Sequence, residues 1–185
     1  MSLITHSRTE KSQRLSRLWL QDIHDAIEPI TTFLLALLLP LTVHAADLHG
    51  RIVSIADGDT VTLLDSANQQ HKIRLAGIDA PEAHQAFGQK SKTNLAAMVF
   101  NKDVVAECGK QDKYKRQVCT VIVGGVDANL EQVKAGMAWH YKQYAKEQSP
   151  KDREDYEIAE NFAKMRRLGL WADKNPVPPW EFRKR

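Results

Sequence analysis

The sequence predicts a small α+β fold: a closed five-stranded β-barrel with about three α-helices packed against it. Three observations carry the prediction. Five short stretches between residues 48 and 123 are bounded by turn-forming Gly, Asp and Asn, with apolar and polar residues alternating along them. Five antiparallel strands in about 80 residues leave two unpaired edges unless the sheet closes on itself. Helical spacing of apolar residues begins at Gln89 and returns only after the turn Gly124-Gly125. A chain of 185 residues with 43% apolar content has enough material for one domain with a real core, and not comfortably for two. Its formal charge of +3 does not by itself point to a nucleic-acid partner.

Residues 48–64 read as one or two strands broken by Asp57-Gly58-Asp59, and 65–69 supply a turn. Residues 70–77 return as a strand, with Ile73 and Leu75 on one face and Lys72 and Arg74 on the other. A helix is expected over 89–100, with Ser91, Leu95, Met98 and Val99 along one face. Residues 103–108 and 117–123 form a second hairpin. A short helix over 129–135 is capped by Asp127 or Asn129 and stopped by Gly136. The last helix, 152–167, presents Ile158, Phe162 and Met165 as its packing face. The tail, 174–185, contains Trp180 and prolines and is expected to pack as an extended strap.

Residues 1–45 are read apart from the folded domain, which is taken as 46–173. A run of Leu, Ile, Phe and Ala over 30–43 follows Arg14 and Arg17 and precedes Val43-His44-Ala45, the pattern of a secretory signal cleaved after Ala45. The run is shorter than the roughly 20 residues of a spanning helix. The preceding segment is long for a signal and carries acidic residues, so the alternative is an uncleaved membrane anchor. The expected location is accordingly secreted or periplasmic, or membrane-held if the segment is retained. Export bears on the two cysteines. A hairpin centred between Lys113 and Tyr114 sets Cys108 opposite Cys119, a disulfide candidate in an oxidising compartment, with two free thiols as the alternative.

The chemistry gathers between Asp57 and Glu82. Asp57, Asp59, Arg74, Asp79 and Glu82 lie at the ends of two short strands that a hairpin brings side by side, and carboxylates around an arginine suit a metal and a phosphate. Asp57-Gly58-Asp59-Thr60, Ile73-Arg74-Leu75, Asp79-Ala80-Pro81-Glu82 and Asp112-Lys113-Tyr114-Lys115-Arg116 occur in the order and spacing of the staphylococcal nuclease, or thermonuclease, family. The chain resembles that family over roughly 48–173. The resemblance implies an OB-fold nuclease, the common five-stranded barrel, using one Ca²⁺ held by Asp59, Asp79 and the carbonyl of Ala80. It further implies that Glu82 positions or deprotonates the attacking water, while Arg74 and Arg116 grip the phosphate. Lys113 and Tyr114 match the family's terminal-phosphate contacts. Tyr141 and Tyr144 are candidates for stacking on a base, or for rim packing. The implied substrates are single-stranded or unpaired DNA and RNA, cleaved to 3′-phosphates by a monomer with no obligate protein partner.

Three departures from the family pattern stand out: Ala80 replaces a threonine, Lys115 replaces a glycine, and the pair Cys108 and Cys119 is an addition. A lysine in the left-handed region costs about 1 kcal/mol. The competing functions are a non-catalytic OB barrel that binds nucleic acid or protein, and a calcium-stabilised secreted domain. A degenerate binding module would be expected to lose the carboxylates, the arginines or the glutamate, and all are present. Asp57 either rigidifies the loop or supports the metal ligands from behind.

Overall fold

A computed structural model describes residues 47–184 of the chain. The segment read as a signal peptide or anchor lies outside the described residues. Among the described residues, no helix is long and apolar enough to cross a membrane.

Five strands form the barrel: β1 (Leu48–Ile55), β2 (Thr60–Asp65), β3 (Gln70–Leu75), β5 (Asp103–Gln111) and β6 (Gln117–Val123). β1 pairs antiparallel with β2 and β5, β2 with β3, and β5 with β6. The ring is completed by a parallel pairing of β3 with β6, in which Arg74 lies opposite Val118 and Leu75 opposite Cys119. This is the closed OB-type barrel that the strand count demanded. Three two-residue strands decorate it: β4 (Ile78–Asp79) pairs with β8 (Trp139–His140), and β7 (Val126–Asp127) pairs antiparallel with the end of β6. The helices are α1 (Gly88–Val99), α2 (Ala128–Lys134), α3 (Pro150–Met165) and a single turn, α4 (Pro179–Phe182).

Inward-facing Ile52, Val61, Leu63, Ile73, Leu75 and Val121 fill the barrel and are essentially inaccessible to solvent. Leu95 and Val99 of α1 belong to the same core, and full burial of each side chain contributes about 1.5–3 kcal/mol. Ser91, Leu95 and Val99 are buried as the helical spacing predicts. Asp127 is the N-cap of α2, its Oδ1 accepting from the amides of Asn129 (2.8 Å) and Leu130 (3.1 Å). Asn129 therefore does something else. Fully buried, it donates Nδ2 to the carbonyls of Ala76 and Cys119, each at 3.0 Å, and accepts from the amide of Val121 at 3.1 Å. It satisfies backbone groups at the barrel closure that would otherwise be orphaned.

α3 departs from its sequence reading. Ile158, Phe162 and Met165 are exposed, Met165 at 74%, and the buried face is Tyr156, Ala159, Glu160 and Ala163. Small residues allow the helix to approach α2 and β8 closely. The buried Glu160 is matched by the amide of His140 (3.1 Å) and by Lys164 (2.7 Å). The tail also differs from a purely extended strap, because Pro178-Pro179 starts the short turn α4, where proline's fixed φ suits the first helical position.

Cys108 and Cys119 face each other across β5 and β6, with Cα atoms 4.0 Å apart, and are joined by a disulfide. A register shift between Cys108 and Lys110 follows immediately, so the hairpin beyond the bond is bulged. Replacing both cysteines with serine is expected to lower the unfolding free energy by about 2–3 kcal/mol, given the short loop that the bond closes. Urea titration of the variant, and of the native chain with and without reductant, measures this. Reductant should destabilise only the native chain.

Candidate active site

The loop between β1 and β2 is fixed before any ligand is considered. The amide of Asp59 donates to Asp57 Oδ1 at 3.0 Å, so Asp57 rigidifies the turn. Gly58 is required by space: a Cβ there would fall 1.9 Å from Ser91 Oγ and 2.8 Å from Ala80 Cβ. Its carbonyl accepts from the buried Gln132 side chain at 2.7 Å. Burial, followed by the neighbouring charge of Asp59, pushes the Asp57 carboxyl up to about 6.

Asp59 and Asp79 come from opposite sides of the site, and both are buried. The β2–β3 register sets Thr60 opposite Arg74, and the Arg74 guanidinium bridges the two acids. It contacts Asp59 Oδ1 through Nη1 and Asp79 Oδ1 through Nη2 at 2.7 Å. Burial alone would lower the Arg74 pKa, but the charges of Asp59 and Asp79 more than reverse this and raise it. The second oxygen of Asp59 accepts from the amide of Ala80 at 2.8 Å, tying the two acidic segments together. Glu82 follows on the same segment, with its side chain 34% exposed at the rim.

Arg116 is placed by the end of the β5–β6 hairpin. Asp112 organises this loop: Oδ1 accepts the amides of Tyr114 (2.9 Å) and Arg116 (3.0 Å), and Oδ2 accepts from Arg116 Nε at 2.8 Å. Burial raises the Asp112 pKa, and the bonds from Arg116 and Tyr114 outweigh it and hold the carboxyl below its usual range. Arg116 Nη1 also reaches Thr60 Oγ1 at 3.4 Å, which sets it beside Asp59. Lys115 has φ of 63°, the left-handed conformation that explains why glycine is usual there. Lys113 lies over the ring of Tyr114, which is 67% exposed.

A cleft of about 880 Å³ collects these groups. Asp57, Asp59, Arg74, Ala80, Glu82, Lys113, Tyr114, Arg116, Tyr141 and Tyr144 all line it, with Asp79 buried just behind. Among the described residues, no three His, Cys, Asp or Glu side chains converge as a metal cage. The donors available to a hard cation are carboxylate and carbonyl oxygens of Asp59, Asp79 and Ala80.

The profile of the family described as "Staphylococcal nuclease homologue" matches residues 72–173, more than half of the chain. The chain belongs to the staphylococcal nuclease family. An "uncharacterized endonuclease" of Haemophilus influenzae is 47% identical over 135 residues, covering 72% of each chain. Another protein of that name from Escherichia coli O157:H7 is 38% identical over 141 residues, 76% of this chain and 88% of its own. A "micrococcal nuclease" of Shigella flexneri is 39% identical over 148 residues, 75% of this chain and 82% of its own.

One residue at this staphylococcal nuclease-like site is absent from the sequence reading. Arg183, just beyond α4, donates Nη1 to Glu82 Oε1 (2.7 Å) and Asp79 Oδ1 (3.2 Å), and Nη2 to Asp79 Oδ2 (2.7 Å). The bond to Asp79, opposed by partial burial and reinforced by Glu82, raises its pKa. Trp180 holds the segment down by stacking on Tyr141, with ring centroids 5.3 Å apart and planes at 12°. Tyr141 is thus covered on one side by protein, while Tyr144 meets it edge-on at 5.0 Å and remains 41% exposed. The available signal was the pairing of Trp180 with a basic end, Arg183-Lys184-Arg185.

Substituting Lys115 with glycine should stabilise the fold by about 1 kcal/mol, because the native φ is then adopted without Cβ strain. Urea titration checks this, and no gain would show that the loop carries no strain at that residue.

Proposed function

We propose that this chain is a secreted or periplasmic, Ca²⁺-dependent endonuclease, acting as a monomer on single-stranded or unpaired DNA and RNA and leaving 3′-phosphates. That it is a hydrolase of the nuclease class is supported by its family and by relatives named endonuclease and micrococcal nuclease. The observation that carries the reading is the convergence on one cleft of Asp59, Asp79, Glu82 and two arginines, Arg74 and Arg116, from four separate segments. A binding-only barrel has no need of a rim carboxylate beside two buried ones. The disulfide suits an oxidising compartment, which supports export.

The donor set fits calcium in kind, since that ion takes hard oxygens from carboxylates, backbone carbonyls and water. A positive charge already rests on the oxygens of Asp79 and Glu82, supplied by Arg183, so the site is built to hold cations there. Asp59, Asp79 and the Ala80 carbonyl would hold the ion. When bound, Ca²⁺ supplies positive charge against the phosphate oxygens.

The residues of the chain account for the remaining steps. Glu82, partly exposed at the rim, accepts a proton from a water that it orients toward phosphorus. The water oxygen bonds to phosphorus as the bond to the 5′ oxygen breaks, and that oxygen takes up a proton. Arg74 and Arg116, oriented by Asp59, Asp79 and Asp112, set their charge and remaining N–H groups against the phosphate oxygens as negative charge grows on them. Lysine at either position keeps the charge but loses the fork. Tyr144 and Tyr114 remain exposed at the cleft, where stacking would accept any base.

Digestion of single-stranded DNA tests the reading. Glu82→Gln is expected to lower kcat by about 10²–10³, and Arg116→Lys should also reduce it. A chelator is expected to abolish cleavage, with calcium restoring it. Cleavage that persists in chelator would remove calcium from the mechanism, and full activity in Glu82→Gln would remove the glutamate.

A further inference from the structure

The contacts of Arg183 bear on how the site is controlled, an inference that rests on the calcium reading above. Both oxygens of Asp79 are taken by guanidinium groups, Oδ1 by Arg74 and Arg183 and Oδ2 by Arg183 alone. One oxygen of Glu82 is taken as well. A guanidinium only donates and carries a fixed charge, so it cannot join a metal's ligand set. An ion that draws on Asp79 therefore competes with the Arg183 charge for the same side of the carboxylate. Arg74 is different, since it stands on β3 of the barrel and is held by Asp59 as well as Asp79.

Arg183 reaches the site on a moored but releasable segment. Trp180 stacks on Tyr141 and meets Trp139 edge-on at 5.6 Å, and the Val177 carbonyl accepts from Gln85 Nε2 at 2.5 Å. The Arg183 side chain is 41% exposed and Glu82 34%, so that pair is solvent-screened and weak enough to be exchanged, while the pair with the buried Asp79 is the one an ion has to replace. While it is docked, Glu82 is engaged by a cation and Arg183 lines the cleft together with Tyr141.

We propose that residues 177–183 form an autoinhibitory strap, with Arg183 occupying the cation-binding side of Asp79 and Glu82, so that strap docking and divalent-ion binding exclude each other. Such linkage is reciprocal: whatever factor the docked strap removes from ion affinity, the bound ion removes from docking. The metal-free protein is thereby held with its water-handling carboxylate blocked, and ion binding opens the cleft.

The test is calcium titration calorimetry on the full chain, with Arg183→Gln, Trp180→Ala and Asp79→Asn beside it, together with hydrogen exchange over 177–184. Arg183→Gln removes the competing cation, and Trp180→Ala unmoors the strap with the arginine intact. Each should bind Ca²⁺ about tenfold tighter than the native chain, within the usual range for coupled sites. Asp79→Asn should lose binding. In the native chain, saturating Ca²⁺ should speed amide exchange in the strap. Equal or weaker affinity in Arg183→Gln, or strap exchange that calcium leaves unchanged or slows, would overturn the strap while leaving the calcium site standing. Absence of binding in the native chain and in every variant would overturn the calcium reading and the strap together.

Discussion

The parallel pairing of β3 with β6 is the contact on which the site depends. Every other strand pair in the barrel is antiparallel and could exist in an open, curled sheet. Only the three residue pairs from Ile73–Gln117 to Leu75–Cys119 bring the two ends of that sheet together. Arg74 and Arg116 lie on either side of this seam, and in an open sheet they would stand on opposite edges. Leu75 and Ala76 donate their amides to the carbonyls of Asp59 and Cys119, both at 2.8 Å, and the buried Asn129 satisfies neighbouring groups. The seam is therefore both the last element of the fold and the first element of the active site.

Burying Asp59, Asp79 and Arg74 together is expensive, because desolvation of each charge is recovered only by good pairing. The geometry supplies it: one guanidinium spans two carboxylates, an amide and a hydroxyl take further lone pairs, and Arg183 meets what is left. An apolar cluster of the same volume would serve the fold as well. The arrangement makes sense for a site that must present negative charge to one ligand and positive charge to another within a few ångströms.

The barrel was legible because strand periodicity, turn residues and length agree, and because five strands have few ways to hide two edges. The chemistry of Asp59, Arg74, Asp79 and Glu82 was legible because all four lie within one hairpin and the segment after it. Arg183 was not, since the contact joins residues a hundred positions apart and nothing local to either end records it. α3 was misread for another reason. Two of its faces have helical spacing, and hydropathy selects Ile158, Phe162 and Met165, whereas close packing selects Ala159 and Ala163 with a paired Glu160 between them. Lys115 shows a third limit: its positive φ was suggested only by the usual glycine, because lysine itself gives no such signal.

The Cys108–Cys119 bond lies at the base of the loop that carries Arg116. Its cross-link removes freedom from the hairpin during folding, and the Asp112 network removes more. The entropy of fixing the Arg116 guanidinium is thus spent on folding, before any ligand arrives. In the reduced chain that expenditure moves to the binding step. Oxidation of two residues remote from the carboxylates thereby helps to fix the loop that presents Arg116.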